Sequence, residues 1–383
     1  MKMILKNGLV YQNHSFLPLD ILTDGGVIKK IGTDLQDEDA RVMDLAGKKV
    51  VPGFIDIHTH GAVGVDVNAA SAEDFEKICR FQASQGTTSW QGSILTDTRE
   101  QTLWCIGQYN RWKEMEHQGA DLMGIHLEGP FLSPEYKGAM PEHLLQKPNM
   151  ELLREYQDAA HGDIRYITVS PEVEGIPEFI PEICSLGMVV AIGHSGADYE
   201  TAGRAIAAGA MGATHVGNAM KLLHQHFPAI WGAVLEDDEV YCEVICDGRH
   251  LHPGTVRLII KTKGLGRVVA ITDSIMAAGL PDGDYKLGVN DVVVVDGDAK
   301  LASNGVRAGS TLTMGKALRN LLEFTGRPLE DILPLLTENP AKLTKTFGRI
   351  GSIAEGKDAD LVVLDKEYHI AHTFVKGRHC YQA

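Results

Sequence analysis

Positive charge is what this sequence is short of. Its 383 residues carry 36 Lys and Arg against 51 Asp and Glu, a net charge of −15 at pH 7. Such a balance argues against nucleic acid or an anionic membrane as partner, though a local basic pocket for an anionic substrate stays open. Long apolar runs are missing too. No stretch approaches the ~18 uninterrupted apolar residues of a membrane span. The apolar part of the N-terminus, Met1-Lys2-Met3-Ile4-Leu5, is too short for a secretory signal. Cysteines are few and show no paired motif. Cys79, Cys105, Cys184, Cys242, Cys246 and Cys380 are scattered, and no second pair completes a zinc ribbon with Cys242 and Cys246. They read as reduced core residues of a cytosolic protein. There is no internal repeat, no linker and no low-complexity segment. No G-x-G-x-x-G follows the first buried strand, which counts against a doubly wound open sheet.

What is present is an ordinary globular composition, 44% hydrophobic. A single core seldom grows far beyond ~250–300 residues, so the length predicts one large domain plus a smaller one. Residues 1–50 read as short strands and turns, with a hairpin signal at Asp24-Gly25-Gly26. The tail returns to strands over 360–365 and 369–376. The two ends, 1–50 and 346–383, are expected to pair into one small β-sandwich. Between them, 51–345 alternates apolar strands with amphipathic helices. The strands fall at 51–57, 87–95, 122–127, 164–169, 188–192, 213–216, 240–245 and 268–271. Helices are read at 71–85, opened by Ser71-Ala72-Glu73-Asp74, and at 197–210. Eight buried strands alternating with helices predict an α/β fold, a (β/α)8 TIM-like barrel. The turn signals Asp282-Gly283-Asp284 and Asp296-Gly297-Asp298 predict a β-hairpin inserted near 282–300.

The chemistry begins at His58-Thr59-His60, where the first strand gives way to Gly61. Side chains alternate along a strand, so both imidazoles share one face and can grip one ion. Two polar residues at a surfacing strand end would look the same in isolation. Later strands also end in polar residues: His126 and Glu128, His194, His215, Asp247 with Arg249 and His250, and Asp273. In a barrel these ends gather at one mouth. Buried polar groups need partners, and a shared metal satisfies many at once. Imidazole and carboxylate ligands without thiolate suit zinc, iron, manganese, cobalt or nickel. A divalent ion activates water and polarises a carbonyl. Asp273, without a Lys or Arg neighbour in sequence, is the best proton shuttle. The predicted chemistry is hydrolysis of an amide or other C–N bond. His126 shares a strand face with Glu128 and is either a support for the site or plain packing.

These stretches resemble the amidohydrolase superfamily, and more closely the N-acetylglucosamine-6-phosphate deacetylase family. The likeness rests on Pro52-Gly53-Phe54-Ile55-Asp56, His126-Leu127-Glu128-Gly129-Pro130-Phe131, Lys137-Gly138, Gly193-His194-Ser195, Thr214-His215 with Asn218-Ala219-Met220, Asp247-Gly248-Arg249-His250, Thr272-Asp273 and Ala308-Gly309-Ser310-Thr311-Leu312. The resemblance implies that Glu128, His194 and His215 hold one metal. With His58 and His60 both present, it implies a second ion with Glu128 bridging. Asp273 would act as base and then acid. Asn218 and Ala219 would meet the sugar or its phosphate, and His250 the substrate. Close relatives act on N-acetylgalactosamine-6-phosphate, and a homodimer is implied.

Two departures touch the substrate. Met140 stands where the family usually has a histidine, with His143 three residues on. His226 stands where an arginine reaches the phosphate. Arginine is a permanent forked cation, whereas histidine is only partly charged near pH 7. Lys221, Arg249 or Arg307 are the cations that could replace it. The alternatives are a deacetylase of an unphosphorylated or otherwise modified N-acyl sugar or N-acyl amino acid, and a binding scaffold without catalysis.

Overall fold

Apolar strands of two to nine residues, nearly all of them buried on both faces, set the architecture of the computed structural model, which describes residues 2–383. Eight of them are Phe54–Thr59, Thr87–Leu95, Asp121–Glu128, Ile164–Val169, Val189–Ile192, Gly212–Ala213 (a remnant of two), Tyr241–Ile245 and Val268–Ile271. They pair in parallel and in chain order. The ring closes where Thr59 bridges Ser274. There the Asp273 N–H donates to the His58 carbonyl at 2.8 Å and the His60 N–H to the Ser274 carbonyl at 2.7 Å. Beneath that seam the Thr272 hydroxyl donates to buried Asp56 at 2.5 Å. This is the predicted TIM-like barrel, and it makes the first and last strand ends neighbours.

Helices cover the outer face, as parallel strands require. The first, Ala72–Ser84, starts where the sequence predicts. Ser71 accepts from the Asp74 N–H and Asp74 accepts from the Ser71 N–H, a reciprocal cap. The helix predicted at 197–210 is shorter, Tyr199–Ala207, capped by Asp198.

The predicted strand 51–57 is divided. Lys49–Pro52 joins the terminal sheet and Phe54–Thr59 the barrel. Gly53 between them passes so close to Thr88 that a Cβ would lie 2.0 Å from its hydroxyl. The predicted strand 213–216 ends early, at Ala213, ahead of the left-handed backbone of His215. The inserted hairpin is a three-stranded meander, Gly283–Leu287, Asn290–Val295 and Asp298–Leu301. Its apolar residues Leu287, Val292 and Val294 share a core with Leu95, Leu132 and Met140.

The two chain ends build one eight-stranded sheet. Its path runs through Arg378–Gln382, Ile370–Val375, Leu361–Leu364, Lys49–Pro52, Met3–Gln12, Ser15–Asp24 and Val27–Gly32, with Arg41–Asp44 also on Met3–Gln12. It encloses its own core, including Met3, Ile21, Val50, Leu361 and Phe374. Pro52 leads into the N-terminal end of the first barrel strand, opposite the end that carries His58 and His60.

Candidate metal centre

Strand alternation puts His58 and His60 on the inner face, almost fully buried. Glu128 is the last residue of its strand. Three further residues arrive by one shared device. His194, His215 and Asp273 each stand two residues past a strand end, after Ile192, Ala213 and Ile271. Each takes a left-handed backbone, with φ of 48°, 31° and 49°. Such a conformation costs on the order of 1–3 kcal/mol in a non-glycine residue and turns the chain sharply there.

The six side chains converge. His194 Nε2 lies 3.1 Å from Glu128 Oε1 and 3.1 Å from His215 Nε2. His215 Nε2 lies 3.2 Å from Glu128 Oε1. On the other side, His58 Nε2 and His60 Nε2 are 3.2 Å apart, and His60 Nε2 is 3.3 Å from Asp273 Oδ1. Glu128 turns its second oxygen to His60 at 3.2 Å. Two triads result, His58–His60–Asp273 and Glu128–His194–His215.

The donor set fits metal. Two ligands ~2.0–2.1 Å from a tetrahedral ion lie about 3.3 Å apart, near the imidazole spacings here. Two Nε2 atoms that close need a shared cation or proton between them. The far ring nitrogens of His60 and His194 are spoken for. His60 Nδ1 donates to the Ser93 carbonyl at 3.0 Å and His194 Nδ1 to the Tyr136 carbonyl at 2.9 Å. That leaves the Nε2 lone pairs facing the centre. Burial resists charge on His58 and His60, yet the Glu128 and Asp273 carboxylates raise both imidazoles, His60 to about 9. Burial also resists ionisation of Glu128 and Asp273, and the histidines outweigh it and hold both below the usual carboxylate range. The pocket attracts positive charge.

His126 does not join. Its Nδ1 is 2.9 Å from the Ser93 hydroxyl and its Nε2 2.9 Å from the Thr168 hydroxyl, so no ring nitrogen is left for an ion.

A cavity of about 500 Å³ opens over the centre. His60, Glu128, His194, His215 and Asp273 form its floor, and Met140, Asn218, Ala219 and His250 belong to its lining. His250 Nδ1 is fixed 2.7 Å from Asp247. Met140 is buried and presents an apolar wall. His226 is elsewhere, on an exposed loop with Leu222, Leu223 and Phe227. His143 is also exposed and outside the lining. Of the three replacement cations, only Arg307 lines the cavity, and its guanidinium forks onto Asp298 at 2.7 and 3.0 Å. Sequence reasoning named Lys137 only within the stretch Lys137-Gly138 and did not count it among the cations, yet it is a second cation in the lining. It also passed over Glu243, a fully buried carboxylate behind His58. The signal for Glu243 was there, an acid in the middle of the apolar strand Tyr241–Ile245.

A parallel barrel with imidazoles and carboxylates gathered at the C-terminal strand ends defines a hydrolase built around a divalent metal. Comparison with known proteins agrees. The model of the amidohydrolase family matches residues 49–380. The N-acetylglucosamine-6-phosphate deacetylase of Bacillus subtilis is 34% identical over 98% of this chain and 93% of its own. The N-acetylgalactosamine-6-phosphate deacetylase of Escherichia coli is 31% identical over 93% of each chain. The crystal structure of N-acetylglucosamine-6-phosphate deacetylase from Pasteurella multocida superposes with a TM-score of 0.93, at 29% identity over the whole of both chains. The chain belongs to the amidohydrolase family and, within it, to the N-acetylglucosamine-6-phosphate deacetylases.

Proposed function

We propose that the protein removes the acetyl group of an N-acetyl amino-sugar 6-phosphate, N-acetylglucosamine-6-phosphate or its galactosamine epimer, and releases the free amine and acetate. The observation that carries this is Asp273 at the floor of the cavity, a member of the triad with His58 and His60, its Oδ1 3.3 Å from His60 Nε2. A cavity of about 500 Å³ suits a ligand of this size.

His58, His60 and Asp273 would hold one divalent ion, and Glu128, His194 and His215 another. When bound, the metal supplies Lewis acidity, which polarises a carbonyl and eases deprotonation of water. Zinc, iron, manganese, cobalt and nickel all accept these ligands. The rest falls to the chain's own groups. Asp273 takes a proton from water as the water oxygen bonds to the amide carbon. It then hands that proton to the amide nitrogen as the C–N bond breaks. His250, tied to Asp247, orients the sugar. Asn218 and Ala219 line the wall for the sugar or its phosphate. Lys137 is the available cation for the phosphate, since Arg307 is engaged by Asp298. We further place the enzyme in the cytosol as a homodimer. Its six cysteines are free, and the exposed Leu222, Leu223 and Phe227 offer a second copy an apolar face. His226 rides on that loop, so its part in substrate binding depends on that pairing.

One observation favours a second reading, deacetylation of an unphosphorylated N-acyl sugar. Met140 walls the cavity with methyl and thioether where the resemblance leads one to expect a histidine. Acetate release by the metal-loaded protein from N-acetylglucosamine-6-phosphate and N-acetylglucosamine, side by side, separates the two. The proposal expects a strong preference for the phosphate. Equal rates, or activity on the free sugar alone, would support the second reading. No acetate from any N-acetyl hexosamine would sink both and favour a scaffold.

A further inference from the structure

Among the histidines of the centre, only His58 has a carboxylate behind it. His58 Nδ1 lies 3.2 Å from Glu243 Oε2. His60 and His194 use backbone carbonyls for the same purpose, and His215 Nδ1 has no partner. Glu243 has no solvent exposure. Its other oxygen accepts the Tyr166 hydroxyl at 2.6 Å, and Oε2 also accepts the His215 N–H at 3.3 Å. A backbone N–H can only donate. Tyr166 is buried beside this carboxylate, so its hydroxyl is held well above its ordinary pKa and donates as well. Glu243 is therefore an acceptor on both oxygens, and the His58 Nδ1–H must point at it. That tautomer leaves the His58 Nε2 lone pair facing His60, Glu128 and Asp273.

We propose that Glu243 is the positioning residue that makes this a two-ion centre, by orienting His58 as a ligand of the ion held with His60 and Asp273. It also braces the left-handed backbone of His215, a ligand of the other triad, and so links the two halves. A carboxylate partner further raises the basicity of a ligating imidazole, and removing such a partner typically weakens metal binding 10–100-fold.

The inference rests on the reading of the cluster as a metal centre, and the test separates the two. The whole chain is stripped with chelator and titrated calorimetrically with Zn²⁺, and bound metal is counted by elemental analysis. Thermal unfolding reports the fold of each variant. The wild type is expected to bind two ions. Glu243→Gln, an isosteric change, is expected to keep the first affinity and weaken the second about 10–100-fold. Tyr166→Phe leaves the Glu243–His58 bond in place and is expected to keep both ions. Unchanged second-ion affinity in Glu243→Gln would overturn the inference. So would loss of the second ion in Tyr166→Phe, which would assign the effect to packing, and so would a wild type that binds one ion. A wild type that binds none would overturn the metal-centre reading itself. The zinc-loaded wild type gives a readout without substitution. The His58 Nδ1–H proton should be exchange-protected and shifted downfield by its carboxylate acceptor, and its absence would count against Glu243.

Discussion

Asp273 combines three constraints in one residue: a left-handed backbone, a buried carboxylate and a place beside two histidines. Asparagine keeps the shape but cannot accept and return a proton. Asp273→Asn should therefore lower the rate of acetate release about 10²–10⁴-fold at saturating substrate, with bound metal counted in parallel to show whether ligation is also weakened. Lys137 poses the question of the phosphate. It lines the cavity, and among the described residues its ammonium bonds the Met140 carbonyl alone, at 3.4 Å. A charge-assisted hydrogen bond is worth about 1.5–3 kcal/mol. Lys137→Ala should raise KM for the phosphorylated sugar roughly 10–100-fold while moving KM for the free sugar little. Steady-state kinetics on both substrates checks this, and an equal rise for both would remove Lys137 from phosphate recognition. At this scale the candidate ligands were legible in the sequence because each is a polar residue at or within two residues of the end of an apolar strand. The cations were not. Whether Lys221, Arg249 or Arg307 reaches the cavity depends on loop paths, and neighbouring residues in sequence say nothing of them. His126 was left open for the same reason, since only its contacts to Ser93 and Thr168 exclude it as a ligand.

The strands do more than carry ligands; they set their distance. His58 and His60 use the two-residue period of a single strand, while His194, His215 and Asp273 use the second position past three different strands. That repetition is what brings side chains from strands one, five, six and eight to one point. The junction at Gly53 fixes where the first of these strands begins. A methyl group there would collide with buried Thr88. Gly53→Ala should cost about 1–3 kcal/mol by overpacking, read as a lower denaturant midpoint. A neutral result would mean that Thr88 can move aside. Sequence periodicity located the apolar run from Val50 onward but not its division, because both halves are equally apolar. The meander was similarly read as a hairpin. Its third strand, Asp298–Leu301, is only four residues long, two of them charged, and it is held by pairing with Asn290–Val295.

At the scale of the whole molecule, the barrel and the terminal sheet meet around Asp360. Its side chain accepts the Lys376 N–H at 2.7 Å and faces the Ser89 hydroxyl of a barrel strand at 3.4 Å. Burial, with Asp358 and Asp121 near, pushes its carboxyl up to about 7. An unfolded aspartate titrates near about 3.9. Between these values the folded state holds a proton that the unfolded state has released. The sign is then fixed: this group makes stability fall as pH rises from about 4 to about 7, and the cost is fully present above that window. Asp360→Asn keeps an acceptor for Lys376 and gains a donor for Ser89. It should flatten unfolding free energy against pH across the window and raise Tm at pH 8. A variant no more stable than wild type at pH 8 would refute the assignment. Metal acts on stability by mass action. If only the folded state binds the ions, free metal at 100 times Kd adds about 2.7 kcal/mol, so chelation should lower Tm and re-addition restore it.

The sequence by itself determined the barrel, and it named His58, His60, Glu128, His194, His215 and Asp273 as candidates at its strand ends. Apolar periodicity and strand-end polarity are local properties, and a parallel barrel turns strand order into spatial order. The family likeness carried the same residues to a deacetylase. Only the tertiary structure decided the surroundings: Glu243 behind His58, Lys137 in the cavity, Arg307 engaged by Asp298 and His226 outside on its loop. Those relations depend on side-chain packing and loop paths, and no local pattern in the sequence encodes which residues will touch.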